Sequence, residues 1–233
     1  MGASRARIFV DLYRKEVNMK KIAILGSGGF AREVLCLIQD INKVSHEYVI
    51  LGFIDNSLEK GTILNGYPVL GSDEEIISLN ENLSLALAFG EPHLKKKVAN
   101  KYSSPLFTFP NLVHPSVLIG SPDYLNMGKG CIICAGCILT SNIELGDFIT
   151  LNLSCTVGHD TVIGSYSSFM PSCNISGDVI IKECVYGGTG VKIINQTEIG
   201  ENTILGAGAV VSKSIPADCT AVGVPAKPVK FHK

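Results

Sequence analysis

The sequence predicts two architectures in one chain: an α/β domain over residues 19–110, then an all-β solenoid over residues 111–225. Two observations carry that division. The first is a strand, glycine turn and helix pattern around Gly26; the second is an apolar residue that returns at every sixth position from Met127 to Val211. A six-residue period fits neither the helical repeat nor simple strand alternation, so the repeat unit is itself hexameric and stacks as a solenoid.

The whole chain narrows the function classes. Its 233 residues suffice to bury a sizeable core. A formal net charge of −1 leaves no basic footprint for nucleic acid or for an anionic membrane surface, and no apolar run approaches a membrane span. Small molecules and other subunits are the expected partners. Residues 1–18 read as an N-terminal extension ahead of Met19, a disordered arm being one reading of it: Asp11, Arg14 and Lys15 interrupt any secretory pattern, and Ala6 stands where a myristoylation site wants Ser or Thr.

Residues 20–25, KKIAIL, form a β-branched strand that runs into Gly26-Ser27-Gly28-Gly29-Phe30-Ala31 and then a helical pattern over residues 32–39. The spacing is that of a Rossmann-like nucleotide turn, in which glycines admit a phosphate to the backbone and the helix N-terminus supplies free N–H groups. The bland alternative is a tight turn and nothing more. A second strand over 48–54 ends in Asp55-Asn56, at the distance where such folds place a carboxylate on a ribose. A third, over 83–89, ends at Gly90-Glu91-Pro92. No further α/β unit follows Lys97, which is too little for a two-half dinucleotide domain and favours a nucleotide or sugar nucleotide over bound NAD.

Residues 105–111 read as a linker, and the hexads begin at Val113. Met127, Ile133, Leu139, Leu145, Leu151, Val157, Ile163, Phe169, Ile175, Ile181, Ile193, Ile199, Leu205 and Val211 hold the register, broken only by Gly187. An eight-residue step between Ile119 and Met127 places a loop at residues 121–124. Gly146, Gly158, Gly164, Gly200 and Gly206 are expected at turns that need unusual backbone angles, with Asn142, Asn152, Asn174, Asn195 and Asn202 adding left-handed corners. Cys131, Cys134 and Cys137 imitate a metal cluster, but the register sets Cys131 and Cys137 at equivalent places and Cys134 at another. They are therefore expected as small buried apolar groups in a reduced, cytoplasmic protein, with no metal.

One polar pair stands out within the repeats. His159-Asp160 follows Gly158 at a corner, where the imidazole should point outward. A solvated corner histidine is the competing reading. With only His114 and His159 in the repeats, a three-histidine zinc site is short of ligands, whereas one histidine beside a carboxylate suits general-base chemistry.

The hexads, the Gly158-His159-Asp160 segment, the terminal Gly223-Val224-Pro225-Ala226-Lys227 and the glycine-turn domain together resemble the sialic acid O-acetyltransferase and UDP-N-acetylbacillosamine N-acetyltransferase family, from Met19 to Lys227. The resemblance implies a left-handed parallel β-helix, an exception to right-handed crossovers. It further implies a homotrimer with acetyl-CoA between neighbouring prisms and a sugar substrate held by the small N-terminal domain. By the same resemblance His159 is the base, Asp160 its acidic neighbour, Asn152 a supporting asparagine and Gly177 a backbone N–H donor toward the thioester carbonyl. Ser168, Gly177, Thr189, Ala207 and Gly208 fall at acetyl-CoA positions, and Gly26, Gly28, Gly29, Phe30, Asp55, Asn56 and Gly90 fall in the sugar-nucleotide pocket. The chain departs from some N-acetylating members at Phe30, Glu91 and Ser168, where they carry His, Asn and His.

The expected activity is acetyl-CoA-dependent N-acetylation of a nucleotide-linked amino sugar, in bacterial surface polysaccharide or glycan biosynthesis, by direct attack of the amine on the thioester. O-acetylation of sialic acid or another polysaccharide sugar is the alternative, and a non-catalytic nucleotide-sugar-binding module comes from a different class. Residues 226–233 are set apart as a tail.

Overall fold

The structure, a computed structural model, describes residues 19–232. The extension at residues 1–18 and the motif at its start lie outside them.

The first half holds β1 (Lys20–Leu25), α1 (Gly29–Ser45), β2 (Tyr48–Ile54), β3 (Ile63–Leu64), β4 (Tyr67–Gly71), α2 (Asp73–Ser78), β5 (Leu83–Leu87), α3 (Pro92–Lys101) and β6 (Phe107–Thr108). The strands form one sheet in the order β3-β4-β2-β1-β5-β6, parallel except for the β3–β4 hairpin. Ile22, Ala23, Ile24 and Leu25 are all buried, as a parallel strand covered on both faces requires. On α1, Ala31, Val34, Leu35, Ile38 and Ile41 follow helical spacing and supply the buried stripe. From β1 the chain crosses to β2 on one side, and β5 later fills the other side. The carboxyl ends of β1, β2 and β5 therefore face a common crevice at a topological switch point.

The second half is a three-sided prism, the left-handed parallel β-helix. Its first face carries Leu112–Val113, Ile132–Ile133, Thr150–Leu151, Ser168–Phe169, Tyr186–Gly187, Ile204–Leu205 and Cys219–Val222, closed by the antiparallel strand Lys227–Phe231. The second face runs from Leu118–Ile119 to Val210–Val211, and the third from Leu125–Met127 to Glu198–Ile199. Successive coils pair in parallel with an 18-residue offset, as in Thr150 on Ser168 and Ser168 on Tyr186. The extra residues of the first coil fold into a 3-10 turn at Pro122–Tyr124. Residues 227–231, assigned on sequence to a tail, are thus the outermost strand of the first face.

Hexad positions and the small or β-branched residues four places after them together fill the prism: Ile133, Leu139, Leu151, Cys155, Val157, Cys173, Val185 and Val191 are all buried. Gly187 sits where the column has no room for a side chain, because a Cβ there would lie 2.5 Å from the Phe169 ring one coil away. The large phenyl and the missing side chain fill one layer jointly. The thiols of Cys131, Cys137, Cys155 and Cys173 turn inward toward carbonyl oxygens of the next coil, while Cys134 packs outward against the N-terminal domain. Burial pushes Cys131 up to about 11 and Cys134 up to about 12, so both stay protonated thiols.

Two corner expectations need correction. Left-handed backbone recurs every six residues at Gly130, Gly136, Asn142, Phe148, Ser154, Asp160, Tyr166, Ser172, Asp178, Cys184, Gly190, Gln196, Asn202 and Gly208. Gly146, Gly158, Gly164, Gly200 and Gly206 do not belong to that series. Their glycine serves close approach instead: a Cβ on Gly158 would lie 2.4 Å from the Gly177 nitrogen, and one on Gly200 2.2 Å from the Ala217 nitrogen. Of the five corner asparagines only Asn142 and Asn202 are left-handed.

The N-terminal domain rests on the first face. Outward Leu112 and Ile132 are buried in the α1 cluster, whereas the equivalent Ile138, Val162 and Ile180 on the other faces stay exposed. Asp40 of α1 meets His114 at 3.1 Å, and Phe148 joins the core around Leu85, Val98 and Tyr102.

Candidate active site

The prism has three edges, and the site residues expected from sequence divide between two of them. His159 and Gly177 lie one coil apart on the edge between the second and third faces. His159 is two-thirds exposed, and its Nδ1 meets Asp160 Oδ2 at 2.7 Å. Asp160 can turn its carboxylate there because it occupies the left-handed corner position (φ 57°). Its other oxygen accepts from Asn142 Nδ2 at 2.8 Å. Hydrogen bonds from Asn142 and His159 hold the Asp160 carboxyl below the usual carboxylate range. With Nδ1–H donating to a fixed carboxylate, the lone pair is on Nε2, which has no hydrogen-bond partner among the described residues.

Gly177 lies directly beside that nitrogen. A Cβ at this position would be 2.5 Å from His159 Nε2 and 2.6 Å from Cε1, so glycine makes room for the ring. The Gly177 N–H makes no hydrogen bond among the described residues and is available as a donor. Asn142 is the functional residue that the sequence reading does not reach: it is placed there as a corner former, and the signal for its role is its position one coil before Asp160.

Asn152, Thr189, Ala207 and Gly208 lie on a different edge, between the first and second faces. Asn152 is buried and its side chain accepts from the Leu153 N–H, so within one chain it supports its own corner and makes no hydrogen bond to His159. Along this edge Gly188, Thr189, Gly190, Gly206, Ala207 and Gly208 are all small, and a Cβ on Gly208 would meet nothing within 4 Å. Room is thereby left for an extended ligand to lie along the coils. Ser168 is fully buried on the first face, and its Oγ has no hydrogen-bond partner among the described residues.

The N-terminal loops converge as the topology requires. Gly26 (φ 96°) donates its N–H to Ile54 O, and its Cα comes so near the Phe89 ring that a Cβ would lie 3.0 Å away. No atom would crowd a Cβ on Gly28 or Gly29, so the turn ahead of Phe30 and α1 stands open. Asp55 accepts from Ser27 Oγ at 2.6 Å and from Ser57, tying the first loop to the second. Burial works to raise the Asp55 pKa, but these hydrogen bonds outweigh it and leave the carboxyl lowered. Asn56 is exposed, and its side-chain amide exchanges hydrogen bonds with Asp73. Gly90 approaches Met170, on the prism edge that carries Asn152 and Thr189. Beyond it, the segment Gly90–His93 walls one side of a cavity of about 450 Å³ whose other side is Tyr186, Ile204 and His232.

Known proteins place these features together. The PglD N-terminal domain family matches residues 21–102. WeeI from Acinetobacter baumannii AYE is 32% identical, covers 91% of this chain and 100% of its own, and superposes with a TM-score of 0.81. PerB from Caulobacter crescentus, solved with CoA and GDP-perosamine, is 30% identical over 90% of this chain and 97% of its own, with a TM-score of 0.82. A GDP-perosamine N-acetyltransferase of Escherichia coli O157:H7 is 28% identical, over 91% of this chain and 97% of its own. The fold and site define an acyltransferase built on hexapeptide repeats. The chain belongs to the sugar acetyltransferases that join such a β-helix to a PglD-type N-terminal domain.

Proposed function

We propose that the protein transfers the acetyl group of acetyl-CoA to the amine of a nucleotide-linked amino sugar, with His159 as general base. The single observation that carries this reading is the exposed His159–Asp160 pair, tethered by Asn142, with Nε2 open above a glycine. The amine nitrogen attacks the thioester carbonyl, and Nε2 takes the proton that the nitrogen sheds. Asp160 stabilises the resulting imidazolium, and the Gly177 N–H faces the developing oxyanion. As the carbon–sulfur bond breaks, the proton passes from His159 to the departing CoA sulfur, which regenerates the base.

Acetyl-CoA fits the small-residue edge, where Thr189, Ala207 and Gly208 would hold its extended arm. The nucleotide fits the crevice of Gly26, Gly28, Gly29, Phe30 and Asp55, with Gly90 facing the prism. Because His159 and the small-residue edge lie on different edges of one prism, a complete site takes its base from one chain and its thioester groove from another. A homotrimer of prisms, each edge meeting a neighbour, satisfies that requirement. Complexes of PerB with CoA and GDP-perosamine support N-acetylation over O-acetylation, and a cytoplasmic setting matches where both substrates are made.

Release of CoA, followed by thiol titration, tests the reading with GDP-, UDP- and dTDP-linked amino sugars against free sialic acid. Turnover with a nucleotide amino sugar is expected. Turnover with sialic acid alone would transfer the reading to O-acetylation, and silence with every acceptor combined with tight nucleotide binding would make the protein a binding module.

A further inference from the structure

Among the described residues, Lys95 is a fully buried side chain whose ammonium has no carboxylate partner. It belongs to the second turn of α3, and it reaches from the N-terminal domain to the outer side of the first face of the prism. Its Nζ donates to Phe148 O at 2.7 Å, to Thr150 Oγ1 at 3.1 Å and to Ser167 O at 3.1 Å. Phe148 is a left-handed corner residue whose carbonyl receives no backbone N–H, while the Ser167 carbonyl already accepts from Thr150 N. One side chain thus fastens two adjacent coils to one helix.

The helix is the continuation of a functional loop. Glu91 caps α3 by accepting from the N–H groups of His93 and Leu94, so the Gly90–Pro92 segment is rigidly joined to the turn that bears Lys95. That segment ends β5 at the switch-point crevice, leans on Met170 at the prism edge and walls the cavity opposite Tyr186. Burial pushes Lys95 down to about 7, and the three partners satisfy the nitrogen in either state: the Phe148 and Ser167 carbonyls each take an N–H, and the Thr150 hydroxyl accepts a third from the ammonium or donates to the lone pair of the amine. Apolar packing alone could have docked α3, as it docks α1 through Ile132 and Cys134. A desolvated, directional contact adds register, because it is satisfied at one position along the coils and at no other.

We infer that Lys95 is a positioning residue for the acceptor substrate, holding the Gly90–Pro92 loop of the nucleotide domain at a fixed height against the β-helix. The inference rests on the proposed acetyl transfer to a nucleotide-linked amino sugar. The acceptor bound by the N-terminal loops must bring its amine to the prism edge, and Lys95 sets the distance between the two.

Steady-state kinetics of the full-length protein with acetyl-CoA and whichever of the GDP-, UDP- and dTDP-linked amino sugars wild type turns over fastest, on wild type, Lys95→Met, Lys95→Arg and Thr150→Val, provide the test. Loss of a buried ammonium should raise KM for the acceptor by about tenfold or more in Lys95→Met, with KM for acetyl-CoA and kcat held within about threefold. Lys95→Arg, which restores donors, should recover part of the acceptor KM. A folded Lys95→Met enzyme with unchanged acceptor KM overturns the inference, as does a uniform loss of activity that follows only the folded fraction seen by circular dichroism. Should Lys95→Met fail to fold, Thr150→Val decides: an acceptor KM raised by about threefold supports the role, and a wild-type value overturns it. Should wild type release no CoA with any of the GDP-, UDP- and dTDP-linked amino sugars, the proposed activity fails, and calorimetric affinities for the nucleotide sugar that wild type binds most tightly, across the same variants, then decide on Lys95 by the same criteria.

Discussion

The two halves of this chain present functional groups in different ways. In the β-helix, the position of a side chain follows from counting: inward at the hexad position, outward one residue earlier, at a left-handed corner every six residues. In the N-terminal domain the same kind of task falls to three loops that lie farther apart in sequence than one coil is long, and they meet only because the sheet order places β1 between β2 and β5. The prism carries His159, the proposed base, on a surface fixed by backbone pairing. The nucleotide loops are fixed by side chains, with Asp55 tying Ser27 to Ser57 and Asp73 tying Asn56 to Lys101 and Tyr102. Chemistry and recognition therefore have different sensitivities to substitution: changes on the prism edge should act on kcat, and changes in the loops on KM or on stability.

The largest effect is expected where the comparison is sharpest. His159→Ala removes the base from a surface that does not depend on it for packing, and kcat should fall by about 100- to 10,000-fold with the melting temperature unchanged. A loss of only a few-fold would mean that another group carries the proton. Next comes Gly177→Ala. Its backbone is not in the left-handed region, so alanine is not strained there, but the added methyl would occupy space 2.5 Å from His159 Nε2. Displacing the imidazole by such an amount should cost about 10- to 100-fold in kcat, with KM for the acceptor steady. If the acceptor KM moved in place of kcat, Gly177 would belong to recognition.

The same contrast explains what could be read without coordinates. Periodicity made the prism legible to individual residues, including the buried cysteines and the empty place at Gly187. It also assigned Gly146 and Gly158 the wrong reason, since a glycine after an apolar residue looks alike whether the backbone is left-handed or the next coil is too close. Asn142 escaped because its partner, Asp160, is adjacent only through the coil offset. In the N-terminal domain the strands β1 and β2 were plain, while β4 and α2 were not. Ser72 and Glu75 do form a capping box that announces α2, but six residues give too little periodicity to recognise. The pairing of Asn56 depends on Asp73, a residue that no local pattern connects to it.

Asp73 gives the next prediction, on stability. It is almost wholly buried and accepts from Asn56, from Lys101 at 2.6 Å and from Tyr102 at 2.8 Å. Burial tends to raise its pKa, but these three partners prevail and lower it. A carboxyl depressed in the folded state contributes stability that is complete above its unfolded value, about 3.9, and that is lost as pH falls through the folded value. Asp73→Asn should cost about 1–3 kcal/mol in urea unfolding at pH 7. The gap between wild type and variant should close as pH drops below about 4; a gap that persisted at low pH would show that shape and not charge holds the loop.

The smallest effect is expected one residue from the buried lysine. Lys96 pairs with Glu183 at 3.2 Å and lies 5.5 Å from the centre of the Tyr166 ring, with nearly half its side chain in solvent. It joins the same helix to the same prism as Lys95, and its contacts look equivalent on a list of ion pairs. Exposure separates the two: water and salt already serve both charges, so Lys96→Ala should cost under about 1 kcal/mol and leave the acceptor KM within about twofold. What little it costs should fade further as ionic strength rises. If Lys96→Ala instead shifted the acceptor KM as far as Lys95→Met does, the register of the two halves would be spread over the whole α3 surface, and the single buried ammonium would lose its special place in setting it.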